Sequence, residues 1–303
     1  MILCNNRFAI PALRELAFFR QLAAVVIPSR NQTLHEELLS LPELKSLVFA
    51  INKKDLFCTI EKIIRDPGVS VCLVMSFPYR LDGSVLSLLP GKFFNFHFGP
   101  LPKYRGPEPV FAQLKNGETH TAVSVHRVTE ALDAGAVCME ERMKINDNET
   151  YGSLQTRMAH TSATMVAQLL KLLDFGSDLA GREQEESDAG WSERPGMEEV
   201  FINWEGMNSN EIRNLVRACN PWNKGAGTRI GEMVVGILEV DILPEESIKN
   251  FHAGTIVSLN SGGLQIATKD RKLLKVNVVY CPEGFMSGQR LAEFGIKEGD
   301  RFF

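Results

Sequence analysis

The sequence contains no apolar run approaching the length that crosses a bilayer, and Met1-Ile2-Leu3-Cys4-Asn5 lacks the basic stretch and long apolar core of a secretion signal. A cytoplasmic protein without membrane contact is therefore expected. Its six cysteines, Cys4, Cys58, Cys72, Cys138, Cys219 and Cys281, form no C-x-x-C pair. Buried free thiols in a reducing compartment are the economical reading. His35, His120, His160 and His252 have no metal-ligand spacing, so no metal is expected. There is no excess of positive charge: 33 Lys and Arg stand against 37 Asp and Glu, a net of -4. That argues against a protein that coats nucleic acid, while leaving room for a local basic patch. No repeat points to a solenoid. No G-x-G-x-x-G follows the first apolar run, where Asn5-Asn6-Arg7-Phe8 stands instead, so a dinucleotide site of the usual kind is not expected.

What is present begins with length. A chain of 303 residues exceeds the size that one core usually serves, so two domains are expected. A hydrophobic share of 44% with 23% charged residues is ordinary globular composition. Residues 1–92 alternate short apolar runs with amphipathic segments. Strands are expected at 2–4, 23–27, 46–50 and 70–75, and helices at 9–22, 35–41 and 55–65, the last closed by Pro67-Gly68. Continuous β-branched runs separated by helices imply a Rossmann-like α/β layer of parallel strands covered on both faces. A helix at 109–115, strands at 121–128 and 136–145, and a helix from Thr150 onward complete a first domain spanning 1–175. Gly, Ser, Asp and Glu dominate the next residues, so 176–202 reads as a linker. Short runs at 233–237, 254–259, 263–268 and 273–279 predict a small antiparallel barrel over 203–303.

The densest chemical signal lies in Phe93-Phe94-Asn95-Phe96-His97-Phe98-Gly99-Pro100-Leu101-Pro102-Lys103-Tyr104-Arg105-Gly106. An apolar strand carrying an amide and an imidazole two residues apart presents both on one face at its end. Parallel sheets display catalytic side chains at such ends. Taken alone, an Asn-x-His pair equally describes a loop cap, and Asp133 before Ala134-Gly135 describes a turn. His126 reads as a strand residue facing a neighbour and stays outside the catalytic set.

Asn95-x-His97, the Leu101-Pro102-x-Tyr104-Arg105-Gly106 loop, Asn116-Gly117-Glu118, His126 and Asp133-x-Gly135 together resemble the signature of the 10-formyltetrahydrofolate-dependent formyltransferases. Ile202-Asn203-Trp204, Ile212-Arg213 to Arg217-Ala218, Asn220-Pro221-Trp222 and Gly263-Leu264-Gln265-Ile266-Ala267-Thr268 resemble the passage into the OB-like barrel of its methionyl-tRNA and aminoarabinose branches. The resemblance implies a catalytic formyltransferase domain followed by an OB-like domain. It also implies 10-formyltetrahydrofolate as co-substrate, with Asn95, His97 and Asp133 as catalytic residues.

Formyl transfer asks for these residue types independently. Attack by an amine builds an oxyanion, the amine loses a proton and the leaving nitrogen gains one. Asn95 supplies a neutral donor, and His97 either donates to that oxygen or moves protons. Asp133, set against His97, would favour the imidazolium and orient the ring. For the pterin, the resemblance points to Phe77, Tyr79 and Leu81 after the fourth strand, and to Val128, Thr129, Glu130, Ala131 and Leu132. Lys103, Tyr104 and Arg105 are candidates to orient an acceptor phosphate or carboxylate.

Two departures from the methionyl-tRNA branch bear on the acceptor. Where that branch carries a long basic loop after Val25-Val26-Ile27-Pro28, the present chain has Ser29-Arg30-Asn31-Gln32-Thr33 and then Leu34-His35-Glu36-Glu37. Gly99-Pro100-Leu101-Pro102 also replaces the usual Ser-Leu-Leu-Pro. Residues 203–303 hold twelve Lys and Arg and twelve Asp and Glu, whereas RNA binding favours a basic excess. The expected acceptor is therefore a small-molecule or carrier-bound primary amine, such as an amino-sugar nucleotide or aminoacyl group. Initiator methionyl-tRNA is the alternative, ahead of formyltetrahydrofolate hydrolysis or a non-catalytic RNA-binding role. No oligomeric state is expected from sequence.

Overall fold

The computed structural model describes residues 1–65, 68–176, 179–244 and 251–303. The chain divides into two compact units. One takes Met1–Pro109, His120–Lys144 and Gln155–Glu193, and the other Val110–Thr119, Ile145–Leu154 and Arg194–Phe303.

The first unit is built on β1 (Ile2–Cys4), β2 (Val25–Pro28), β3 (Val48–Ile51), β4 (Cys72–Met75), β5 (Phe93–His97), β6 (His120–Arg127) and β7 (Val137–Lys144), ordered β3-β2-β1-β4-β5-β6-β7. Pairing from β3 to β5 is parallel and from β5 to β7 antiparallel. Every residue of β1, β2 and β4 is buried, which is why these strands read as unbroken apolar runs. The edge strands β3 and β7 are only partly covered. Helices α1 (Ile10–Phe18), α2 (Gln32–Leu39) and α3 (Leu56–Arg65) follow the first three strands. The helix expected over 9–22 ends early at Phe18. Arg20 takes a φ of +56°, which no α-helix continues, and Phe18 and Phe19 are left exposed. In α3 the one-face spacing holds, with Leu56, Ile60 and Ile63 buried. Pro67, expected to close α3, lies outside the described residues. Asp82 caps the short α4 (Gly83–Leu86) by accepting from Val85 N–H at 3.1 Å. The helix α6 (Tyr151–Asp174), most of it in this unit, and α5 (Pro109–Lys115), which beyond Pro109 belongs to the second unit, match the expected segments closely.

Much of the expected linker is docked. Arg182 exchanges two 2.9 Å backbone hydrogen bonds with Val137, and Gly190 accepts from Arg105 N–H and donates to Pro102 O, both at 3.0 Å. Ser192 N–H then donates to Arg105 O at 2.7 Å. Polar composition misled here because the segment is held through its backbone, whose donors and acceptors are independent of side-chain type. Residues 177 and 178 of that segment lie outside the described ones.

The second unit carries α7 (Ser209–Cys219), opened by a reciprocal Asn208–Glu211 capping box. Its sheet contains β8 (Ala226–Ile230), β9 (Met233–Ile242), β10 (Ile256–Asn260), β11 (Gly263–Ala267), β12 (Leu273–Cys281) and β13 (Gly284–Ser287). These run antiparallel in the order β10-β11-β12-β9-β8, with β13 on β12. The C-terminal residues link the two edges: Phe303 exchanges backbone bonds with Arg229 at 2.8 and 3.1 Å, and Phe302 N–H donates to Gly254 O at 2.9 Å. A barrel-like antiparallel sheet thus stands where one was expected. Sequence patterning located β9 to β12 but not β8 or β13, whose glycine-containing four- and five-residue runs become strands only through their partners.

All six cysteines are free, but Cys58 is exposed and Cys138 half-buried, so only the other four fit the buried-thiol expectation. Among the described residues, no helix is long and apolar enough to cross a membrane.

Candidate active site

Alternation along β5 puts Asn95 and His97 on one face, and the antiparallel register sets His126 opposite Asn95 and Ser124 opposite His97. The Ser124 hydroxyl donates to Gly99 O at 2.8 Å, anchoring the loop that leaves β5. Asp133 arrives from the turn between β6 and β7 with a φ of +52°, a left-handed conformation that aspartate tolerates better than most residues. The turn lies so close to the end of β6 that a Cβ on Gly135 would sit 1.9 Å from Arg127 O. Gly106 is equally constrained, at a φ of +102° with its N–H donating to Asp133 Oδ2 at 2.9 Å.

These elements gather four side chains. Asn95 Nδ2 donates to Asp133 Oδ1 at 3.2 Å and lies 3.0 Å from His126 Nε2. The amide orientation follows from the carboxylate, which can only accept. His126 Nδ1 lies 2.9 Å from Arg127 O and must donate there, leaving Nε2 to accept from Asn95. His97 Nε2 donates to Tyr104 O at 2.5 Å, and its Nδ1 faces Asp133 Oδ2 at 3.6 Å. Hence a backbone carbonyl orients His97, and Asp133 Oδ2 stands beside its Nδ1 beyond hydrogen-bond distance.

Burial lowers the His97 pKa below its ordinary value and outweighs the opposing pull of the Asp133 charge, so the ring is neutral at neutral pH. Asp133 does favour the imidazolium, but burial outweighs it. For Asp133, burial pushes the carboxyl up. Interactions with His126 and His97, together with the Gly106 N–H, overcome this and hold it at about 2. At neutral pH the cluster therefore pairs an ionised Asp133 with a neutral His97.

Asn95, His97 and Asp133 converge as expected, and His126, set aside on sequence, joins them. Pairing of the two polar-bearing strands was the missing signal: placing β6 antiparallel to β5 puts the imidazole against the amide. Phe77 and Tyr79 stack edge-on at 5.3 Å and pack, with Leu81 and Val128, against one apolar cluster. Glu130 reaches the same region, its Oε1 2.6 Å from where a Gly83 Cβ would lie. Thr129, Glu130, Ala131 and Leu132 are exposed, and Leu132 shows 58% of its surface. The acceptor trio separates. Lys103 is exposed with its Nζ 5.3 Å from the Tyr104 ring centroid, and Tyr104 is buried with its carbonyl used by His97. Arg105 is not a solvated loop cation: it is buried, donating to Gln184 Oε1 at 3.0 Å and to Glu186 at 2.8 and 3.1 Å. Among the described residues no group of three or more His, Cys, Asp or Glu side chains is arranged to hold a metal ion.

Residues 52–170 match the formyl transferase family and residues 196–284 match the formyl transferase C-terminal domain. A methionyl-tRNA formyltransferase of Clostridioides difficile (strain 630) is 30% identical over 212 residues, covering 70% of this chain and 67% of that protein. Two solved structures share the fold. WlaRD, a sugar 3N-formyl transferase crystallised in the presence of dTDP and 5-N-formyl-THF, gives a TM-score of 0.67 at 16% identity, over 91% of this chain and 95% of its own. HypX from Aquifex aeolicus, in complex with tetrahydrofolic acid, gives 0.67 at 18% identity, over 98% of this chain and 48% of HypX.

Proposed function

Because the chain belongs to the formyl transferase family, we propose that it moves the formyl group of 10-formyltetrahydrofolate to a primary amine on a small or carrier-bound acceptor, such as an amino-sugar nucleotide or aminoacyl group. The observation that carries the reading is the convergence of a neutral amide donor, a neutral buried imidazole and an ionised carboxylate at the end of β5. Both N–H groups of Asn95 are used within the cluster, so the developing oxyanion replaces His126 as acceptor of one of them. His97 keeps an unprotonated Nδ1 facing Asp133 Oδ2, and a proton released by the amine is held between these two groups before the leaving nitrogen takes it. Phe77, Tyr79, Leu81 and Val128 supply an apolar wall beside the site that suits a pterin, with Thr129 to Leu132 lining its rim. Lys103 is the member of the acceptor trio whose charge faces solvent.

The small-acceptor reading is supported by the passage from β2 to α2. Only Ser29, Arg30 and Asn31 separate these elements, and Asn31 is occupied as the helix cap, accepting from Leu34 N–H at 3.1 Å. Initiator methionyl-tRNA is a second reading, favoured by the named activity of the Clostridioides difficile relative. Tetrahydrofolate release, measured with 10-formyltetrahydrofolate and amino-sugar nucleotides, carrier-loaded amino acids or methionyl-tRNA, tests both. Turnover that depends on a small or carrier-bound amine is expected. Turnover without amine, or with none of the acceptors, would sink the transfer reading, and efficient turnover on methionyl-tRNA alone would replace the small acceptor with tRNA.

A further inference from the structure

We propose that Gln184 is a positioning residue of the reacting centre, holding the Asp133 turn and the Arg105–Gly106 corner in one geometry. The proposal rests on the reading above that Asp133 belongs to that centre. Gln184 Nε2 donates to two backbone carbonyls, those of Asp133 and Gly135, at 2.7 Å each. Carbonyls only accept, so the amide has one orientation, and its Oε1 is left to accept from Arg105 Nε at 3.0 Å. One side chain therefore joins the turn that carries Asp133 to the residue preceding Gly106, whose N–H donates to Asp133 Oδ2 at 2.9 Å. The loop formed by these bonds is short and closed.

That turn needs an external support. Asp133 occupies a left-handed φ of +52°, which aspartate tolerates better than most residues but still at some cost, so a contact that fixes it helps hold the turn. The two carbonyls that Gln184 engages belong to the 133–134 and 135–136 peptides, so one amide group ties two peptide planes of the turn. Gln184 is itself held in register from two directions: Arg182 pairs with Val137 through two backbone bonds of 2.9 Å, and Gly190 pairs with Pro102 and Arg105 at 3.0 Å. Glu186 secures the far side of Arg105 at 2.8 Å. Gln184 contacts neither Asn95, His97 nor His126 in these bonds, so it acts through Asp133 rather than on a reacting atom.

The test compares Gln184→Ala and Gln184→Glu with Glu185→Gln, an exposed neighbour outside these side-chain bonds, all in the full chain. Gln184 is only half-buried, so its truncation leaves the core intact. A displacement of the order of 1 Å at a reacting group costs roughly 10²-fold in rate. Gln184→Ala should accordingly lower kcat by about 10- to 100-fold with KM for folate and amine within about threefold. Gln184→Glu should lose as much, because a carboxylate keeps the acceptor for Arg105 but cannot donate to the two carbonyls. Independently of turnover, the NMR titration midpoint of His97 should fall further below the ordinary histidine value in Gln184→Ala, since a loosened Asp133 carboxylate supports the imidazolium less. Glu185→Gln should leave rate and midpoint unchanged. Wild-type kcat in Gln184→Glu, an unmoved His97 midpoint, or a loss confined to KM would overturn the positioning role. If the wild-type chain formylates no amine, the functional reading fails while the His97 midpoint still decides this one.

Discussion

The cluster around Asp133 and the apolar wall of Phe77, Tyr79, Leu81 and Val128 lie in the same unit but are built on opposite terms. In the cluster, Asn95, His97, His126 and Asp133 use one another or a backbone group as partners, at 2.5 to 3.6 Å. Apart from buried Leu81, the wall and its rim are half-buried or open and offer mainly ring edges and aliphatic surface. A buried polar network has few alternative arrangements that satisfy every member, whereas an apolar wall tolerates many. The difference assigns geometry-sensitive chemistry to the first region and adaptable binding area to the second.

The sharpest way to break that contrast is at Asn95 and His97. Asn95→Ala and His97→Ala should reduce kcat by on the order of 10²–10³-fold or more, as loss of an oxyanion donor does elsewhere. Folate affinity, read by equilibrium titration, should stay within about threefold. Near-normal turnover in either variant would remove the cluster from the chemistry.

Asp133→Asn comes next, with an expected loss of about 10²-fold in kcat. Its pH profile is more telling than its size. The Asp133 charge opposes the burial that lowers the His97 pKa, so removing the charge should move the acid limb of kcat/KM to still lower pH. A limb that moves upward would contradict the assignment. In the folded wild type the lowered His97 contributes stability that is complete above the ordinary histidine pKa and declines as pH falls through it. The depressed Asp133 contributes stability that is complete above its unfolded value and is lost as pH falls toward about 2. Denaturant midpoints measured from pH 7 to pH 3 should fall in that order.

Effects at the wall should be smaller and of another kind. Phe77→Ala or Tyr79→Ala should weaken folate binding by about tenfold, the scale of one aromatic contact of about 1 kcal/mol, with kcat preserved. A collapse of kcat without a change in affinity would show that the wall is as geometry-sensitive as the cluster. Glu186→Gln should have the least effect. Its side chain is 76% exposed although it pairs with buried Arg105, so stability should change by less than about 1 kcal/mol. A large rise in amine KM in that variant would return Arg105 to the acceptor role.

Legibility differed between these regions for physical reasons. Asn95 and His97 were visible because the two-residue period of a strand is local, and β1, β2 and β4 because burial on both faces demands apolar runs. His126 escaped notice because its role depends on which strand β6 pairs with, 31 residues from Asn95 in the chain. Gln184 and the docking of 179–193 escaped for the same reason: a polar, glycine-containing segment carries no sign of which carbonyls it will meet. Arg105 reads as a loop cation in sequence, and only its burial against Gln184 and Glu186 makes it structural.

From residue types, their order and their periodicities alone came the α/β layer, the following antiparallel sheet and the three polar residues that suit acyl transfer to nitrogen. Those properties depend on local geometry and on the chemistry of single side chains. Tertiary structure alone decided that His97 is neutral, that His126 completes the network and that Gln184 braces the Asp133 turn. Each of these depends on burial or on contacts between segments distant along the chain, and neither is written into any local stretch of residues.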